Sequence, residues 1–156
     1  MQVNLKVLSF VLVALCLTGT SLAAEKKISK SDLPPAVVKT AEQQSAGATV
    51  TGYSMDNENG KVEYEVEMTV NGHSKDVAIA PDGQLLEVEE EIAMSELPAN
   101  VKTALEAKAG KGKITKVESL TKKGALVAYE AAVLTTAGKH TEVQVGPDGK
   151  TLKHEE

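Results

Sequence analysis

The chain repeats itself with a drifting offset, and this repetition limits its possible folds more than any other feature. Ser31-Asp32-Leu33-Pro34 returns as Ser95-Glu96-Leu97-Pro98, 64 residues later. Tyr64-Glu65 returns as Tyr129-Glu130 after 65 residues. Pro81-Asp82-Gly83 and Glu89-Glu90 return as Pro147-Asp148-Gly149 and Glu155-Glu156 after 66. The order is kept and the drift is one residue at a time, as single insertions in loops would produce. A period of this size implies two copies of one supersecondary unit. The expected boundaries are 28–91 and 92–156.

Each unit opens with a helical pattern. Leu97, Val101, Ala104, Leu105 and Ala109 form one apolar stripe at helical period. Leu33, Val37 and Ala41 form its shorter equivalent. Proline at the start of each (Pro34-Pro35, Pro98) is compatible with a first turn whose N–H groups have no helical partner. Gly47 and Gly110 follow the last apolar positions. Strands come next. In residues 61–70, Val62, Tyr64, Val66, Met68 and Val70 alternate with Glu63, Glu65 and Glu67, the period of a half-covered antiparallel strand. Asn71-Gly72 supplies a tight hairpin turn, Val77 and Ile79 a further strand, and Leu86 and Val88 another after Pro81-Asp82-Gly83. A weaker strand is expected near 48–55. The second copy repeats the pattern at about 113–120, 125–135, Val143–Val145 and Leu152. The expectation is an α+β chain of two tandem repeats, each one helix on a four-stranded antiparallel meander. A unit of this size has a marginal core alone, so the two should share an interface or one continuous sheet.

The first 23 residues read as an address. Lys6 gives a positive start, Leu5–Leu17 is nearly unbroken hydrocarbon, and Ser21-Leu22-Ala23 places small residues where a signal peptidase reads them. Cleavage is expected after Ala23, or one residue later after Ala24. Cys16, the one cysteine, leaves with this segment, so the mature chain has no disulfide, thiol nucleophile or thiolate metal site. A periplasmic or secreted location is expected, with no membrane association after cleavage. The segment carries one lysine and no acid, so the formal charge of −5 becomes −6 in the mature chain.

Composition excludes some partners. All 17 basic residues are lysine, against 22 acids, and the aromatics are one Phe and three Tyr. Clustered positive charge, Arg forks and stacking platforms are missing, which argues against nucleic acid.

The order Leu33-Pro34, Gly60, Tyr64-Glu65, Asp82-Gly83, Glu89-Glu90, followed by Leu97-Pro98, Gly124, Tyr129-Glu130, Asp148-Gly149, Glu155-Glu156, resembles two tandem PepSY-like domains. The nearest variety is the secreted group named for its likeness to β-lactamase inhibitor protein. The resemblance covers nearly all of the mature chain. It implies a non-enzymatic domain outside the cytoplasm that binds or inhibits hydrolases, peptidases above all. The gripping face of such an inhibitor is rich in aromatics, as interface hot spots are. Here Tyr64 and Tyr129 fall in phase with the core set, leaving Tyr53 for a surface, which argues against a lactamase as the target.

No catalytic set stands out. His73, His140 and His154 do not align between copies, and HExxH, GxSxG and phosphate-loop motifs are missing. Asp56-Asn57-Glu58-Asn59-Gly60 fails as a calcium loop, because Met55 and Val66 fall where acidic oxygen donors belong. No enzyme activity, cofactor or metal ligand is expected. What remains is charge. Glu63, Glu65 and Glu67 share one strand face, and Glu87, Glu89, Glu90 and Glu91 follow. Like charges on one face repel unless lysines or a cation answer them. The expected partner-binding face is Glu63, Glu65, Glu67 and Tyr53, docking an extracytoplasmic protein. The alternative is a cation-binding or envelope-stress role for the acidic clusters.

Overall fold

The computed structural model describes residues 26–58 and 60–152. The signal segment, its cleavage positions Ala23 and Ala24, and His154 lie outside them. Strand β1 (Lys26–Lys27) and a short 3-10 turn (Lys30–Asp32) lead into helix α1 (Pro35–Gln44). Strands β2 (Thr49–Glu58), β3 (Lys61–Val70), β4 (His73–Ile79) and β5 (Leu85–Glu91) follow. Helix α2 (Ala99–Ala109) then precedes β6 (Lys113–Lys122), β7 (Ala125–Leu134) and β8 (His140–Val145). The eight strands form one antiparallel sheet in sequence order. The expected continuous sheet is present. The expected fourth strand of the second meander, marked by Leu152, is not seen among the described residues. Thr151 and Leu152 are outside any strand, and residues 153–156 lie outside the described residues.

Both helices lie on one face. Val66 pairs with Val77, and Val77 with Val88; Val88 pairs with Thr121, which shares its side of β6 with Val117. Leu33, Val37 and Ala41 close over Val66, Met68, Val77 and Ile79 in one buried cluster. Leu97, Val101 and Leu105 close over Val117, Ala131 and Val145 in a second. Each fully covered Val or Leu contributes about 1.5–3 kcal/mol of transfer free energy.

The local geometry follows from the sequence in both regions. An extra residue sits in β2 between Val50 and Gly52 and in β6 between Ile114 and Lys116. These bulges place Val50 and Tyr53, three apart, on the helix side, and do the same for Ile114 and Val117. The Pro-Asp-Gly turns dock on the helices. A Cβ at Gly83 would lie 2.8 Å from the Ala36 carbonyl oxygen, and one at Gly149 would lie 2.8 Å from that of Asn100. The Thr40 hydroxyl donates to the Gly83 carbonyl at 2.7 Å, and the Asn100 side-chain amide donates to the Asp148 carbonyl at 2.7 Å. This close approach is why glycine is needed at both positions.

Candidate functional site

The sheet face turned away from the helices carries the acids. Cross-strand registration builds three rows there. Ser54, Glu65, Ala78, Glu87 and Lys122 form the first, across β2 to β6. Glu67, Asp76, Glu89, Leu120 and Ala128 form the second, across β3 to β7. Glu91, Glu118, Glu130 and Gln144 form the third, across β5 to β8.

This face is far from a simple solvated surface. Asp76 and Glu118 are each 6% exposed, Gln144 9% and Ser54 1%, while Leu120 and Ala128 are buried among them. Asp76, Glu89 and Glu118 each place a carboxylate oxygen within 4.8 Å of the others. Charges at such spacing repel strongly once water is excluded. The chain answers them partly with lysine. Lys116 Nζ lies 2.8 Å from Glu118, and Lys122 Nζ lies 3.4 Å from Glu87. Burial works against the Lys116 charge, but its hydrogen bond to Glu118 and the carboxylates of Glu118 and Asp76 outweigh it, holding its pKa above the usual lysine value.

The carboxyl groups respond differently to these surroundings. Burial, a hydrogen bond to Glu87 and the charges of Glu118, Glu87 and Glu130 push Glu89 up to about 9. Burial also raises Glu130, against the opposing effect of the Gln144 side-chain amide, which donates to it at 2.6 Å. Glu91 is lowered, chiefly because the Ser74 backbone N–H donates to it at 2.9 Å. Glu65 accepts a long hydrogen bond of 3.4 Å from the Ser54 hydroxyl.

The structure separates the four residues expected to form one face. Glu63 is exposed and Glu65 and Glu67 are partly buried on the acidic side. Tyr53 pairs with Val66 and packs on the α1 cluster, on the opposite side of the sheet. The β2 bulge is the reason, because it reverses the alternation before Tyr53. No local pattern in the sequence marks Asp76 or Glu118, which lie on strands other than the glutamate run. Only the register of three adjacent strands brings them to Glu89. His73 and His140 are exposed on β4 and β8, four strand spacings or roughly 19 Å apart across the sheet, so they form no joint site. His73 Nδ1 lies 3.8 Å from Glu91. Among the described residues, no helix is long and apolar enough to cross a membrane.

No family model matches the chain, and no curated protein matches it. Solved structures with the same fold include proteins of Bacteroides. A candidate periplasmic protein of Bacteroides eggerthii shares 18% identity with a TM-score of 0.62, over 78% of this chain and 86% of that one. A DUF2874 family protein of Bacteroides ovatus shares 19% identity with a TM-score of 0.60, over 78% and 86%. A protein of Bacteroides fragilis described as BLIP-like shares 20% identity with a TM-score of 0.57, over 79% and 86%.

Proposed function

We propose that the mature chain is an exported, non-enzymatic binding module of tandem PepSY-like units, whose acidic sheet face docks a protein outside the cytoplasm. The units correspond to residues 28–91 and 92–156, after a signal peptide of residues 1–23. Matching bulges in β2 and β6, and matching glycine turns against α1 and α2, support the duplication. The likeness to a candidate periplasmic protein and to a BLIP-like protein supports the location and the binding class.

The observation that carries this reading is the division of the sheet into two unlike faces. One is covered by both helices and holds the apolar clusters. The other presents Glu63, Glu65 and Glu67 beside the buried acids. The partner that fits this face has a basic surface, and the class we assign is an extracytoplasmic peptidase-type hydrolase whose activity the module restrains. Charge governs the docking. All three tyrosines pack against the buried clusters, and Leu126 is the exposed large hydrophobic among the described residues. An association of this kind gains on-rate and selectivity from charge complementarity and weakens as salt rises.

The test adds purified mature protein to the peptidases of a periplasmic extract and measures both binding and residual activity. Binding should weaken with salt. Changing Glu63, Glu65 and Glu67 together to Lys should weaken it by about tenfold or more, with restraint lost in parallel. Binding that ignores both salt and the triple substitution would remove this face from the function.

A further inference from the structure

The two hydrophobic clusters meet at one seam. α1 packs mainly on β4, and α2 on β6, β7 and β8, so pairing of β5 with β6 is the principal link between them. That seam has five registered pairs, from Glu87–Lys122 to Glu91–Glu118. On the acidic face its two sides bring together carboxyl groups of different strands. Asp76 and Glu89 come from β4 and β5, and Glu118 comes from β6. Asp76 and Glu118 are each 6% exposed, so little water screens them. Lys116 pairs with Glu118 and Lys122 with Glu87, so on this face the carboxyl groups around Glu89 outnumber the ammonium groups set against them.

We propose that Glu89 makes this seam a proton-linked joint: its carboxyl group is neutral at neutral pH and bridges to the Glu87 carboxylate, and its ionisation loosens β5 from β6. The groups facing it from every packed strand fit this role. β3 offers Glu67, β4 offers Asp76, β5 offers Glu87, β6 offers Glu118, Lys116 and Lys122, and β7 offers Glu130. The acids outnumber the two lysines. A protonated carboxyl in their midst donates one hydrogen bond, where a carboxylate would only accept and would repel more acids than there are lysines to attract it. The unfolded chain releases this proton near the ordinary glutamate value of 4.5, whereas the folded chain holds it until about 9. Between those values the folded state carries the extra proton, so stability falls as pH rises through the window.

The experiment uses the mature protein with carbon-13 at the glutamate carboxyl carbons, titrated by NMR in the presence of EDTA. One resonance should keep its proton through neutral pH, and it should be missing from Glu89→Gln. Thermal unfolding followed by circular dichroism gives the second measurement. The wild type should lose stability steadily from about pH 6 to pH 9, and Glu89→Gln, which keeps a neutral hydrogen-bonding group, should lose much less. Amide exchange, corrected for its intrinsic pH dependence, gives the third. Protection in Leu85–Glu91 and Lys113–Lys122 should fall about tenfold more than in Lys61–Val70 over that range. Titration of every glutamate below about pH 6 would overturn the proposal. An equal pH slope in the two proteins, or a loss of protection spread evenly over all strands, would overturn it too. So would an alkaline loss that calcium, supplied without EDTA, reverses in proportion to its concentration, since a cation and not a proton would then hold the joint. Should Glu89→Gln fail to fold, the wild-type titration and exchange pattern still decide.

Discussion

Under α1 the helix contributes Ala41 where the sheet contributes Val66, and under α2 the helix contributes Leu105 where the sheet contributes Ala131. The flanking positions are nearly unchanged: Leu33 and Val37 face one cluster, Leu97 and Val101 the other. Small helix residue with larger strand residue, or the reverse, fills a similar space between a helix and a sheet. Close-packed interiors tolerate such exchanges when total volume is kept. The two regions therefore share a backbone plan while their side chains divide the volume differently. The acidic face shows the same freedom. Ser54 sits opposite Glu65 in one region, and Glu118 sits opposite Glu130 in the other.

The largest expected effect breaks the α2 side of this comparison. Leu105→Ala removes a fully buried side chain whose neighbour Ala131 is already small, so the space cannot close. The loss should be about 2–5 kcal/mol by urea denaturation. On the α1 side, Ala41→Leu overfills the cluster and should cost about 1–3 kcal/mol. The double variant Ala41→Leu with Val66→Ala copies the α2 arrangement. It should cost less than the two single changes summed, with a coupling of about 0.5–3 kcal/mol. Simple additivity would mean that the two clusters do not exchange volume in this way.

The apolar half of the molecule was readable in the chain, and the acidic half was not. The perfect alternation of 61–70 placed β3 and its core set, because one strand face must be apolar to meet the helix. The stripes in α1 and α2 named Val37, Ala41, Val101 and Leu105, all of them buried. Asn71-Gly72 gave the β3–β4 turn, and both residues have positive φ, at 53° and 90°. Tyr53 escaped because a bulge has no reliable signature in residue type; Thr51 looks like any strand residue. The carboxyl cluster escaped for a different reason. Asp76 and Glu118 are 42 positions apart in sequence, and only the β4–β5 and β5–β6 registers together bring both to Glu89. Burial of acids on a face expected to be wet is a property of the assembled sheet, so local pattern cannot announce it.

The smallest expected effects concern the turns, where the two regions should behave alike. Gly83 and Gly149 have φ of 87° and 74°, and an added Cβ at either would lie 2.8 Å from a helix carbonyl oxygen. Neither backbone can yield without tilting its helix, so Gly83→Ala and Gly149→Ala should each cost about 1–3 kcal/mol. Gly138 provides the control. Its φ is 75°, yet nothing lies within 4 Å of the place its Cβ would take. Gly138→Ala should therefore show only the intrinsic cost of a left-handed alanine, about 1 kcal/mol. Gly138→Asn should fall below even that, since asparagine tolerates this conformation. Thermal unfolding of the four variants side by side checks the order. A Gly149→Ala loss no larger than that of Gly138→Ala would show that the second Pro-Asp-Gly turn is not clamped to its helix as the first is. The equivalence of the two helix–turn contacts would then fail where the packing geometry predicts it to be strongest.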